Sequence, residues 1–293
     1  MALFKHAPLP FQGQKSKWFN RFSEIMDTLD EMKGNNRVCV VDVFGGSGLL
    51  SHWAKRLKPH FDVIYNDFDN YSNRLAHVHE TNELIIELNR LFGRVEKNTL
   101  LNNEETQQLQ QLLESKRGQF VDSICLSSWF KFSGTQVSTF DELCKLNKYY
   151  MKIPIKPYNE SDISHYLDGI TVIHEDASVY DEFQNKLKEY LPQVDRLIVF
   201  YILDPPYLYC DKTGYRQSYF KLESSINLVD YFLHDSPFMF FNSSKSGFFE
   251  FITCLKKYIP SINLNLKRFD KEYTTNKNTN ISEYVLIFYV DKI

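Results

Sequence analysis

No stretch of this 293-residue chain approaches the roughly 18–20 consecutive apolar residues that a membrane-spanning helix needs. The first residues, MALFKHAPLPFQGQKSK, hold no apolar run long enough for a signal peptide, so a soluble, cytoplasmic chain is expected. Cysteine is scarce. Cys39, Cys125, Cys144, Cys210 and Cys254 are odd in number and form no CxxC pair, which disfavours a disulfide framework and a zinc site and suits a reducing compartment. A basic excess is missing too: 34 Lys and Arg against 37 Asp and Glu leave a net charge of −3, so any nucleic-acid contact must rest on local patches. There is no internal repeat, no glycine-rich loop followed by Lys-Ser or Lys-Thr, and no full GxGxxG, which removes a phosphate-binding P-loop and a dinucleotide fingerprint.

What is present is ample core material. Hydrophobic residues make up 43% of the chain and aromatics 15%, with 18 Tyr and 24 Phe, which excludes a disordered or low-complexity chain. Arg37–Phe44 reads as a buried strand broken at Gly45-Gly46-Ser47-Gly48, after which Leu49, Leu50, Trp53, Ala54 and Leu57 follow at helical spacing. Further strands are expected at Asp62–Asp67, Ile170–His174, Leu197–Leu203, Pro237–Asn242, Ile262–Phe269 and Tyr284–Val290. That set argues for an α/β sheet with crossover helices. The polar stretch Lys271–Asn280 reads as a loop between the last two strands.

The gap between the second and third strands, about a hundred residues, exceeds any simple crossover and predicts an inserted subdomain. Glu83–Lys116 carries helical spacing, while Trp129–Ile155 mixes Ser, Gly and Thr with aromatics. A helical cap over the sheet edge and a substrate-recognition module both fit that composition.

Two segments carry chemistry. The run Asp42-Val43-Phe44-Gly45-Gly46-Ser47-Gly48 sets a glycine turn at the carboxyl end of a strand, where missing side chains let a nucleotide-like ligand approach the backbone. A bare strand-to-helix link would look similar. About twenty residues on, Asn66-Asp67-Phe68-Asp69 ends the next strand, and an acid there can accept both ribose hydroxyls of an adenosine. Asp67 is the candidate, with Asp69 as substitute. The second segment is Asp204-Pro205-Pro206-Tyr207, after the apolar LIVFYIL. Two prolines stiffen the backbone and remove two N–H donors, so an exocyclic amine can give one hydrogen to Asp204 and one to the Pro205 carbonyl, with Tyr207 stacked on the ring.

DPPY at 204–207, FGGSG at 44–48 and Asn66-Asp67, in this order and with a long insert before DPPY, resemble the S-adenosylmethionine-dependent N6-adenine DNA methyltransferases of the Dam-like alpha group. Phe11-Gln12-Gly13-Gln14-Lys15 looks like that group's opening Gly-Gly-Lys segment, with Gln14 for the second glycine. Ile173-His174-Glu175-Asp176 resembles its acidic strand end near the cofactor adenine, and Glu283–Ile287 its closing strand. The resemblance implies a Rossmann-like methyltransferase sheet, residues 1–80 and 165–293, with a mostly helical target-recognition insert at 81–164. It implies S-adenosyl-L-methionine held by Lys15, Asp42, Phe44, Gly46, Gly48, Asp67 and Asp176, and catalysis by Asp204, Pro205, Pro206 and Tyr207. Double-stranded DNA is the implied partner, with a monomeric enzyme that needs no metal and a possible place in restriction-modification systems. Phe130–Gln136 resembles the start of the recognition region, and Lys131, Lys145, Lys148, Lys152 and Lys156 form a local basic patch suited to phosphates, or a solvated face.

Methylation of cytosine C5 would require a nucleophilic cysteine, usually after a proline, and the chain has no Pro-Cys pair. Other exocyclic-amine chemistries stay open: cytosine N4, where Ser is more usual at position 204, and adenine N6 in RNA. Protein-glutamine transfer would call for Asn at 204, and a nonenzymatic nucleic-acid-binding module would be expected to show degraded motifs.

Overall fold

A computed structural model describes residues 3–95, 99–130, 139–145, 149–150, 155–177, 180–206, 227–228, 236–243, 248–258, 265–274 and 280–289. Among the described residues seven strands form one sheet: β1 Arg37–Asp42, β2 Asp62–Asn66, β3 Thr171–Ile173, β4 Leu197–Leu203, β5 Phe238–Ser243, β6 Asn265–Thr274 and β7 Asn280–Tyr289. Their order across the sheet is β3-β2-β1-β4-β5-β7-β6. β1 to β5 run parallel, while β7 enters antiparallel between β5 and β6. All seven expected strands are present. The last two are longer than their apolar runs suggested: β6 and β7 pair from Asn265↔Tyr289 to Thr274↔Asn280. Residues 271–274 therefore belong to a strand, not to the expected loop, because an antiparallel hairpin keeps its ladder even where side chains are polar.

Side-chain alternation builds the two faces of the sheet. One face carries Val38, Val40, Val63, Phe200, Ile202, Phe241, Val285 and Ile287, covered by α1 (Phe19–Met32) through Phe22, Ile25, Met26 and Leu29, and by α2 (Leu49–Leu57) through Trp53 and Ala54. The opposite face carries Cys39, Val41, Ile64, Tyr201, Leu203, Phe240 and Leu286 under Phe183 and Leu187 of α9 (Tyr180–Tyr190) and Phe248 and Ile252 of α10 (Phe248–Tyr258). Emptying one of these aromatic sites to Ala costs about 3–5 kcal/mol by loss of transfer energy plus a cavity.

A third cluster lies beyond β2. It packs α3 (Tyr71–Ala76), α4 (Val78–Phe92), α5 (Asn103–Ser115), α6 (Ser123–Phe130), α7 (Phe140–Cys144) and α8 (Glu160–Ser164) around Leu88, Phe92, Leu109, Leu113, Leu126 and Tyr149. Capping boxes start α5 at Asn102 with Glu105 and α7 at Thr139 with Glu142, as their sequences dictate. Leu9, Tyr71, Leu75 and Val78 belong to the same cluster, so its core also draws on chain before residue 81. Arg74 is the junction: its Nε donates to Asp122 at 2.9 Å and its Nη2 to the Pro10 carbonyl at 3.0 Å.

The N-terminal segment crosses the carboxyl ends of the strands. Phe4 N–H donates to His52 Nε2 at 3.0 Å, Trp53 Nε1–H to the Phe4 carbonyl at 2.7 Å, and Leu9 N–H to the Tyr71 hydroxyl at 2.9 Å. No described helix is long and apolar enough to cross a membrane.

Candidate active site

Parallel strands end side by side, and their carboxyl ends make the site. β1 pairs with β4 up to Asp42↔Ile202, and Val43 N–H donates to the Ile202 carbonyl at 3.0 Å. The glycine turn after β1 and the Asp204-Pro205-Pro206 segment after β4 therefore leave the sheet as neighbours. Between them opens a solvent-connected cleft. Its walls include Lys15, the turn from Val43 to Ser47, Asn66, Phe68 and Asp69, Asp204 and Pro206, with Phe11 to Gln14 of the N-terminal segment on one side.

Three glycines are needed for separate reasons. A Cβ on Gly45 would fall 2.2 Å from the Tyr65 ring, so this residue must be glycine because Tyr65 lies against it. Gly46 has φ +50° and the Phe11 ring lies 2.9 Å from its would-be Cβ; Gly48, at φ +68°, opens α2 in the left-handed region. The turn lines the cleft through Gly45 and Gly46, with the Tyr65 and Phe11 rings packed where side chains would stand.

Charge gathers at one end. Lys15 Nζ lies 2.6 Å from Asp204 Oδ2, with the two side chains 5% and 16% exposed, and donates to the Gly13 carbonyl at 2.8 Å. Asp42 lies buried at the end of β1, where Ser51 Oγ donates to its Oδ2 at 2.8 Å and its Oδ1 meets no partner among the described residues. Burial pushes its carboxyl up to about 7, the Ser51 hydrogen bond opposes that, and the Asp204 charge adds to it. Lys15 is ion-paired with Asp204, and its charge partly offsets the effect of burial on Asp42, an arrangement that favours a positively charged ligand group nearby.

Of the residues expected to hold a donor, Lys15, Phe44 and Gly46 line the cleft, as do Asp204 and Pro206 of the expected catalytic set. Asp42 and Gly48 support the turn, and Pro205 is buried, none of them among the lining residues described. Tyr207, Lys131, Lys148 and Lys152 lie outside the described residues. Lys145 is exposed at the end of α7, and Lys156 is exposed as well.

The two acids expected at the ribose are placed differently. Asp67 is buried and turned inward, accepting the N–H groups of Tyr71 and Ser72 at 2.7 Å each and facing the Tyr65 hydroxyl at 2.9 Å. It caps the start of α3, and the acid on the cleft wall is Asp69. Asp176 is exposed, and its neighbour Ala177 lies on the cleft wall. Sequence reasoning overlooked Asn66 and Phe68 as lining residues, although both lie within the quoted Asn66–Asp69 run. It also overlooked His52, a buried residue of α2 whose Nδ1 meets the Tyr166 carbonyl at 2.7 Å.

The strand order, with one antiparallel strand inserted beside the fifth, and a cleft over the strand carboxyl ends define a Rossmann-like methyltransferase. Residues 11–263 match the model of the D12 class N6 adenine-specific DNA methyltransferases, and the chain belongs to that family. It is 36% identical over 256 residues to a Haemophilus influenzae protein named "Putative methyltransferase", covering 87% of this chain and 81% of that one. Among solved structures it is similar to a precorrin-6y C5,15-methyltransferase from Geobacter metallireducens at TM-score 0.34 and 11% identity, covering 95% and 93% of the two chains. An rRNA methylase from Streptococcus thermophilus gives TM-score 0.34 and 10% identity, covering 92% and 97%. Likenesses of that size carry no weight beside the strand order and the family match. The family implies a methyl donor of the S-adenosylmethionine type, and among the described residues no cluster of His, Cys, Asp and Glu is arranged to hold a metal.

Proposed function

We propose that the protein transfers a methyl group from S-adenosylmethionine to the exocyclic N6 of an adenine turned out of double-stranded DNA. The observation that carries this reading is the meeting of Asp204 and the glycine turn in one cleft, with Lys15 tying the first to the N-terminal segment. The cleft suits the donor in its two aromatic walls Phe11 and Phe68, in the glycine turn at Gly45 and Gly46 that lines it, and in its acid excess.

When bound, the donor supplies an electrophilic methyl on a positively charged sulfur. Phe44, Gly46 and the backbone of the turn hold its nucleoside side, with Asp69 as the acceptor for ribose hydroxyls. On the other side the Asp204 carboxylate and the Pro205 carbonyl each accept one hydrogen of the amine, which aims the nitrogen lone pair at the methyl carbon. Tyr207 stacks on the base, and Pro206 keeps the segment stiff. Residues 81–164 form the target-recognition part, with Lys131, Lys145, Lys148 and Lys152 on DNA phosphates, while residues 1–80 and 165–293 carry catalysis. Incubation with isotopically labelled donor and, in parallel, duplex DNA, RNA or protein tests this. Label is expected in DNA alone; label in RNA or protein alone would overturn the substrate assignment.

A further inference from the structure

Asn66 ends β2 and is wholly buried, yet it forms part of the cleft wall. Its side chain is fully engaged with both neighbouring strand ends. The amide nitrogen donates to the Val43 carbonyl at 3.0 Å and to the Glu175 carbonyl at 2.9 Å, and the amide oxygen accepts the Glu175 N–H at 2.8 Å. Its own carbonyl accepts the Gly45 N–H at 3.3 Å. Val43 and Gly45 belong to the turn after β1; Glu175 follows β3 and precedes Ala177 on the cleft wall.

Beyond its end each strand loses its ladder, so buried backbone groups there need other partners. An amide is the side chain that can offer two donors and an acceptor at once. A carboxylate would face two carbonyl oxygens, and a hydroxyl could serve only one of them. No aliphatic side chain would satisfy Glu175 in both directions. The neighbouring contacts reinforce the same alignment: Asp67 N–H donates to the Ile173 carbonyl at 2.8 Å, and Asp67 O meets His174 Nδ1 at 2.9 Å.

We propose that Asn66 is the positioning residue of the donor site. It clips the glycine turn to the loop after β3 and so sets the width of the slot between Gly45 and Ala177. It touches neither the acceptor amine nor Asp204, and acts through the backbone of the two loops. The inference rests on the reading of this cleft as the donor site.

The test uses the full chain with S-adenosylhomocysteine as probe, comparing wild type with Asn66→Asp and the milder Asn66→Ser. Calorimetry is expected to give an affinity about tenfold or more weaker in both variants, the cost of leaving buried carbonyls unpaired. In methylation assays the donor KM is expected to rise in parallel while kcat at saturating donor stays within about twofold, since Asp204 is untouched. Hydrogen exchange is expected to quicken at the Gly45 and Glu175 amides without loss of protection in β1 and β4. Wild type that fails to bind the probe overturns the donor reading and this inference with it. Wild type that binds, with variants of equal affinity, overturns the inference alone. So does a fall in kcat at unchanged KM, or the failure of both variants to fold, which would make Asn66 a residue of the fold only.

Discussion

The ammonium of Lys15 and the carboxylate of Asp204 meet at 2.6 Å although 189 positions separate them in sequence, which joins the N-terminal segment to the end of β4 at the cleft. Lys15 also lies 5.6 Å from the centre of the Phe241 ring, so its charge is held in a largely dry setting between carboxylate, carbonyl and aromatic face. Expected from sequence at the donor, it sits against the acid proposed to hold the acceptor. Lys15→Met keeps the bulk and removes the charge. Methyl transfer is expected to slow by about 10–100-fold, the worth of one charge-assisted hydrogen bond of ~1.5–3 kcal/mol, with donor affinity changed far less. Single-turnover rates beside donor calorimetry check this.

Asp67 and Asp69 are expected to separate cleanly. Asp67→Ala uncaps two N–H groups of α3 and should lower stability by about 1–2 kcal/mol, seen as a lower Tm. Asp69→Ala should leave Tm nearly unchanged and weaken donor binding by about 1–3 kcal/mol. Calorimetry and thermal melts on both variants would reverse the assignment if the two effects changed places.

Donor binding is expected to depend on pH through Asp42. With its carboxyl pushed up to about 7 by burial, it is largely protonated at pH 6. A cationic ligand nearby favours the ionised form, so binding is expected to release a proton near pH 7 and to tighten as pH rises from 6 to 8. In the free protein the sign is opposite for folding. The native state holds a proton that the unfolded chain loses near pH 4, so this group's contribution falls as pH rises from about 4 to about 7. Asp42→Asn should abolish the proton release, which titration calorimetry in buffers of different ionisation enthalpy measures directly.

His52 acts in the other direction. Burial pushes its imidazole down to about 4, and its Nε2 accepts the Phe4 N–H, which a protonated ring cannot do. The unfolded chain binds this proton near pH 6.5 and the native state does not, so stability is expected to fall as pH drops from about 6.5 to about 4. Release of the N-terminal segment should come first. Limited proteolysis near residues 4–8, compared at pH 7.5 and 5, should show cleavage at the lower pH, and His52→Asn should weaken that contrast.

Much of this architecture was legible in the amino-acid order for a plain physical reason. Parallel strands covered on both faces must be apolar throughout, so RVCVVD and LIVFYIL announce themselves, and a glycine turn marks where one ends. The identity of the cleft acid was not legible. Asp67 and Asp69 differ only in which side of the turn they face, and that depends on Asn70 adopting φ 59° and on the free N–H groups at the start of α3. The contact of Lys15 with Asp204 was not legible either, since a contact across so many positions has no local signature. Nor was the burial of His52 legible, since it comes from Phe4 and Tyr166, which pack on it from distant chain.

The central claim is that Asp204 holds an adenine amine for methylation. Duplex DNA incubated with labelled S-adenosylmethionine and either wild type or Asp204→Ala, digested to nucleosides and resolved by mass spectrometry, addresses it most directly. The account predicts labelled N6-methyladenine with wild type, and a loss of orders of magnitude with Asp204→Ala at preserved donor affinity. Label on cytosine N4, or N6-methyladenine formed by Asp204→Ala at the wild-type rate, would contradict it.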